Sequence, residues 1–233
     1  MKSYGWIALN MSNKKSVSIL GCGWVGKALK SSLNAESYVV HCLTRNILEN
    51  KKAQWYDVDI LVIALPPKEE YIEVLERTFE NIDERVQVIF LSSISFYNEK
   101  NLVVEAEKRV QELHSWIVVL RLGGLMGYNR IAGKYTSGKT LAYDSNTNYV
   151  HRDDVVAIIK KLIEMKTQHN IFDIVAPLQT TKKKIFLQNS EQFGFEKTEF
   201  LPYFKNSRVI SADKICKVLK YTFEKKSVED FWK

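Results

Sequence analysis

The sequence predicts an α/β fold with a Rossmann-like, doubly wound parallel sheet, on three observations. Short apolar runs of strand length alternate with stretches of helical periodicity. Several of those runs stop abruptly at glycine or proline, as buried parallel strands do where they leave a sheet. At 233 residues, with 45% hydrophobic and 26% charged side chains, the chain has the size and composition of one large domain with a small appended lobe.

Each element follows in order. Residues 16–20 (SVSIL) form an apolar run that ends in glycine. The stretch GCGWVGKALKSSL then reads as turn and helix, and YVVHCLT as a second strand. DILVIALPP (59–67) is the third apolar run, stopped by Pro66 and Pro67. From Glu69 onward Tyr71, Leu75, Phe79 and Ile82 recur at helical spacing, with Glu73 and Arg77 set to pair at i,i+4. VQVIFL is the next strand, and the helix after it carries Val103, Ala106, Val110 and Leu113 on one face. WIVVLRL is another strand, ended by Gly123 and Gly124. HRDDVVAIIKKLIEM predicts an aspartate-capped helix burying Val155, Ile158, Ile159 and Leu162, and IFDIVAP closes the main sheet. Two more helices start at Thr181, with Gly194 as the stop, and at Ser211. Residues 1–14 read as an N-terminal extension to a domain over 15–233. Within that domain, 125–150 and 178–233 contribute a smaller substrate lobe over the sheet's C-terminal edge.

Composition narrows the function classes. No apolar run approaches the ~20 residues that span a bilayer, and MKSYGWIALNM is too weakly apolar for a secretion signal. The cysteines Cys22, Cys42 and Cys216 are odd in number and widely spaced. With four scattered histidines they offer no metal-ligand spacing, so a reducing cytoplasm is the expectation. The net charge of +7 is dispersed, its longest basic run being Lys182 to Lys184, and no nucleic-acid motif accompanies it. A solvated lysine-rich surface accounts for it, and nucleic acid is not an expected partner. That charge still attracts an anionic cofactor.

Gly21, Gly23 and Gly26 spell G-x-G-x-x-G between a strand and a helix, with Trp24 and Val25 opening the helix. The first glycine permits a tight turn, the second lets a pyrophosphate approach the backbone, and the third lets helix pack on strand. Nineteen residues beyond Gly26, where an NAD-preferring site places an acid, stands Arg45, next to Thr44. An arginine there suits a 2′-phosphate and predicts NADP in preference to NAD. A solvated arginine at a strand end is the competing reading. Cys22, inside the loop, reads as a small space-filling residue with no second cysteine evident nearby.

With these pieces assembled, the chain resembles the short-chain dehydrogenase/reductase superfamily, in its extended and atypical NAD-dependent epimerase/dehydratase-like branch. ILGCGWVGKAL, LTRN, DILVIALPP, VIFLSSISFY, VVLRLGGLMGY and NYVHRDDVV occur in family order and cover about residues 16 to 225. The resemblance implies that the glycine loop and Arg45 bind the cofactor and that Ala64, Leu65, Pro66 and Pro67 line its adenine-ribose side. It implies that Ser92 and Ser93 end a strand beside the nicotinamide, that Leu122 to Leu125 pass its edge with Gly123 and Gly124 binding it, and that Ser93 binds a substrate oxygen. His151, Asp153 and Asp154 match a segment that fastens the lobe's return helix, and His151 is expected to be structural.

Two departures from the family stand out. Only 14 residues separate Thr44 from Asp59, room for little more than a bare crossover, so the family's third strand is expected to be absent or vestigial. The family's Tyr-x-x-x-Lys pair, in which an ammonium lowers a phenol's pKa from one helical turn away, falls on Glu99 and Val103. Tyr135/Lys139 and Tyr221/Lys225 have the spacing but lie elsewhere and read as chance pairs. Tyr97 is the only phenol near Ser93 in sequence. Two functions follow: an oxidoreductase or epimerase acting on a small carbonyl or sugar-like substrate through Ser93 and Tyr97, or a non-catalytic NADP(H)-binding redox sensor.

Overall fold

A computed structural model of the chain describes residues 14–36, 38–43, 55–98, 101–167 and 169–232. The apolar runs become six parallel strands, β1 (Ser16–Leu20), β2 (Val39–Leu43), β3 (Ile60–Ile63), β4 (Gln87–Ser93), β5 (Ile117–Leu122) and, late in the chain, β10 (Asn170–Ile174). Their order across the sheet is β10-β5-β4-β3-β1-β2. Residues alternate between two apolar layers, which is why the runs are continuously hydrophobic rather than alternating. Val17 and Ile19 face α1 (Trp24–Asn34) and α4 (Arg152–Met165), packing with Leu29, Ile159 and Leu162. Leu20, Leu61 and Ile63 face α2 (Tyr71–Phe79) and α3 (Leu102–Leu113), packing with Leu75 and Val110.

Because α1 and α2 leave on opposite faces, strand order reverses between β1 and β3, and a crevice opens at their C-terminal ends. Among the described residues β2 is the sheet's edge, and residues 44–54, most of the interval expected to lack the family's third strand, lie outside the described residues. Thr44 and Arg45 lie outside the described residues.

Two helix starts position the site. Asn101 caps α3, its side chain accepting from the N–H groups of Val103 (2.9 Å) and Val104 (3.3 Å). The α4 cap differs from the aspartate expected: His151 holds that place, its Nδ1 accepting from Asp153 N–H at 3.2 Å. Asp154 is buried instead and binds the C-terminal segment, taking bonds from the Tyr221 hydroxyl (2.6 Å) and Glu224 N–H (2.8 Å).

Short parallel pairings lie beyond the sheet's C-terminal edge. β6 (Gly124–Met126) runs beside β9 (Tyr149–His151). β7 (Thr140–Leu141) pairs with β11 (Glu199–Phe200), and β8 (Asp144–Ser145) with β12 (Phe204–Lys205). α5 (Lys182–Phe193) starts at the Thr181 cap and stops at Gly194, as its sequence predicts, and α6 (Asp213–Leu219) follows Ser211. Among the described residues no helix is long and apolar enough to cross a membrane.

Candidate cofactor and substrate site

The glycine loop has the geometry that its spacing implies. Gly21 adopts φ +103°, and a Cβ there would lie 2.6 Å from the Ala64 carbonyl oxygen, so the turn off β1 tolerates only glycine. A Cβ on Gly26 would collide with the Gly21 carbonyl, which fixes how closely α1 approaches β1. A Cβ on Gly23 would meet nothing within 4 Å. Its backbone therefore faces open space at the N-terminus of α1, where backbone N–H groups and the helix dipole favour an anion.

Cys22 corrects the expectation of a lone space-filling residue. It is cross-linked to Cys42 on β2, with Cα atoms 5.7 Å apart, and Cys216 is the free cysteine among the described residues. The register of β1 against β2, with Ile19 opposite Cys42, brings together two residues that sequence separation had kept apart. The loop is also tied to β2 by Gly21 N–H, which donates to the Leu43 carbonyl at 2.9 Å.

A cleft of about 430 Å³ runs from this loop along the strand ends. Gly21, Gly23, Trp24, Val25 and Gly26 form one wall, Ala64 to Pro67 the second, and Ser92, Ser93, Gly123 and Gly124 the far end. Eleven of the thirteen cofactor-binding residues expected from the sequence thus line one mostly apolar cleft together with Pro67, and the catalytic candidate Ser93 joins Ser92 at its end. Val103, at the family's lysine position, lines it as well. A larger hollow of about 770 Å³ lies at the opposite, N-terminal end of the strands, around Asp59 and Arg85, away from the crevice.

The two serines have different tasks. Ser92 is buried, and its hydroxyl donates to Glu107 Oε2 at 2.8 Å. Ser93 faces the cleft and accepts from Ser95 N–H at 3.1 Å, which leaves its own hydroxyl proton to donate. Glu107 is fully buried and accepts from Arg121 Nε at 2.9 Å. Arg121 also donates to the Tyr97 hydroxyl at 3.2 Å, and that hydroxyl donates to Asp173 at 2.8 Å. Cross-strand register explains the assembly: Ser92, Arg121 and Asp173 stand in one row across β4, β5 and β10.

Tyr97 thus comes to a charged network rather than to a lysine. Burial and the Asp173 carboxylate push its phenol pKa up, and Arg121 opposes them. Glu107 and Arg121 were not singled out from the sequence. The available signal was one arginine inside the apolar run WIVVLRL, since a charge in a buried strand demands a partner.

Beyond Ser93, Gly123 and Gly124 the crevice continues into a second cleft of about 500 Å³. Its walls carry Tyr97, Tyr143, Asn146, Asn148 and three cations, Lys182, Lys205 and Arg208. Arg208 lies 4.3 Å over the Tyr97 ring. No aspartate or glutamate is among its described lining residues. Asparagine amides hold the cationic segment in place: Asn148 donates to the Arg208 carbonyl (2.8 Å) and accepts from Ile210 N–H (3.0 Å).

The chance tyrosine–lysine pairs fall elsewhere. Tyr135 is 70% exposed, and Tyr221 is buried on Asp154. His151 is buried against the Tyr128 and Phe231 rings, in a structural setting. Glu99 lies outside the described residues.

No protein-family model matches the chain. Protein YeeZ of Escherichia coli K12 is 25% identical over an alignment of 267 positions that takes in 90% of this chain and 96% of that one. Among solved structures, a short-chain dehydrogenase/reductase superfamily protein from Agrobacterium tumefaciens with bound NAD has a TM-score of 0.72 at 12% identity, covering 90% and 92% of the two chains. UDP-glucuronic acid 4-epimerase from Bacillus cereus, in complex with NAD, has a TM-score of 0.70 at 15% identity, covering 93% and 95%. The fold of this chain is the one those proteins share.

Proposed function

We propose that this chain binds a nicotinamide dinucleotide, NADP(H) in preference to NAD(H), and acts as an oxidoreductase or epimerase on a small carbonyl or sugar-like substrate. The observation that carries the reading is the continuity of the two clefts at Ser93. One is an apolar slot beginning at the open space over Gly23, and the other is polar and cation-walled. The NAD bound by the Agrobacterium and Bacillus proteins supports the cofactor class, and Arg45 supports the choice of NADP. When bound, the dinucleotide supplies hydride transfer.

The chain's own residues do the rest. Gly23 admits the pyrophosphate, and Ala64 to Pro66 bound the adenosine side. Ser93 donates its hydroxyl proton to the substrate oxygen, and Lys182, Lys205 and Arg208 favour substrates that carry negative charge. Tyr97 is the phenol placed to exchange a proton with that oxygen, with Arg121 beside its oxygen in the charge role of the absent lysine.

Turnover of NADPH against a panel of phosphorylated and carboxylated carbonyl compounds tests this. Loss of turnover in both Ser93→Ala and Tyr97→Phe, with cofactor binding retained, is the expected result. One observation favours the sensor reading: the Tyr97 proton is held on Asp173 while Val103 occupies the lysine position. NADPH binding without oxidation across the panel, unaffected by Ser93→Ala, would establish that alternative.

A further inference from the structure

Of the described residues that line the cofactor cleft, one carries a formal charge, Arg130. Among the described residues it has no acidic partner. Its guanidinium lies 4.3 Å over the ring of Trp24, the first residue of α1. Arg152 shares that ring at 5.0 Å but is paired with Asp153 at 3.2 Å.

The backbone of Arg130 is fixed three times over. Its N–H donates to the Gly127 carbonyl (2.9 Å), and its own carbonyl accepts from Gly127 N–H (3.1 Å) and from Trp232 Nε1 (2.8 Å). A half-buried guanidinium, stacked on an aromatic ring and held on a braced turn, has lost much of its freedom before any ligand arrives. It stands beside the helix N-terminus whose first residue it covers, where anions are already favoured.

We propose that Arg130 closes over the dinucleotide's pyrophosphate from the side opposite the glycine loop, with Trp24 as the platform that aims it. This rests on the dinucleotide reading above and extends it to a binding residue outside the glycine motif. The planar fork matches adjacent phosphate oxygens, which a lysine matches less well. Arg130 also explains how a loop without a single lysine or arginine between Gly21 and Gly26 neutralises two phosphate charges.

The test is calorimetric titration of wild-type, Arg130→Gln, Arg130→Lys and Arg152→Gln proteins with NADPH, ADP-ribose and AMP. Arg130→Gln should weaken NADPH and ADP-ribose alike, by about tenfold to a hundredfold. AMP, which lacks the pyrophosphate, should bind with little change. Arg130→Lys should fall between wild type and Arg130→Gln, and Arg152→Gln should behave as wild type. Unchanged ADP-ribose affinity in Arg130→Gln overturns the assignment, as does equal weakening of all three ligands. Failure of the wild type to bind NADPH at all overturns the dinucleotide reading itself, and the assignment with it.

Discussion

Glu107 and Arg121 show how much one buried pair can govern at the residue scale. Glu107 is fully buried, and Arg121 joins it to Ser92 on one side and to Tyr97 and Asp173 on the other. Removing one partner leaves an unpaired charge where water cannot reach. Arg121→Met should therefore cost about 3–5 kcal/mol, whereas Arg121→Met with Glu107→Leu should recover most of the loss. Urea denaturation midpoints would show this, and equal losses in the single and double variants would contradict it. The sequence displayed the arginine inside an apolar strand but not its partner, because Glu107 is one of two glutamates in VVEAE. Only the packing of α3 against β4 and β5 decides which one turns inward. The pairing of Cys22 with Cys42 was hidden for a similar reason, since strand register sets it and spacing along the chain does not.

Helices and strands were legible to the extent that their signals were long. The six sheet strands are buried on both faces, so their apolar runs announce them. The two-residue strands β7, β8, β11 and β12 have no periodicity to read and are held by backbone pairing with distant segments of the chain. The α4 start was misread because aspartate is the commoner cap, whereas here the acids occupy the first turn and His151 takes the cap.

That cap carries a pH prediction. Burial lowers the His151 pKa from the ordinary 6.5, although Asp153 opposes the shift. On acidification the unfolded chain takes up this proton before the folded one does. The stabilisation is therefore complete above pH 6.5 and declines as pH falls towards the depressed folded value. Protonation also removes Nδ1 as the acceptor for Asp153 N–H. Thermal melting from pH 8 to pH 5.5 should show a steeper loss for wild type than for His151→Asn, which keeps a capping oxygen without titrating. Parallel curves would contradict the assignment. His114, also buried and shifted down, contributes the same sign in both proteins.

For the whole molecule, the proposed function depends on where the strand order reverses. The switch between β1 and β3 opens the crevice, the glycine loop enters it from β1, and Ala64 to Pro67 enter from β3. The β6–β9 pairing then brings residues 143–149 to the end of the same crevice, joining the second cleft to the first. The first cleft was legible because its residues come from consecutive motifs. The second was not, because Lys182, Lys205 and Arg208 are distant from Ser93 in sequence and carry no pattern of their own.

In the proposed complex a dinucleotide's pyrophosphate sits against the backbone of Gly23. Calorimetric titration of NADPH and NADH into wild-type protein and Gly23→Leu tests it directly. Gly23 has a φ of −81° with open space before it, so the variant should fold and melt as wild type does. Wild type should bind NADPH more tightly than NADH, and Gly23→Leu, its side chain projecting into the phosphate position, should bind neither. Equal binding by the two proteins, or no binding by wild type, would contradict it.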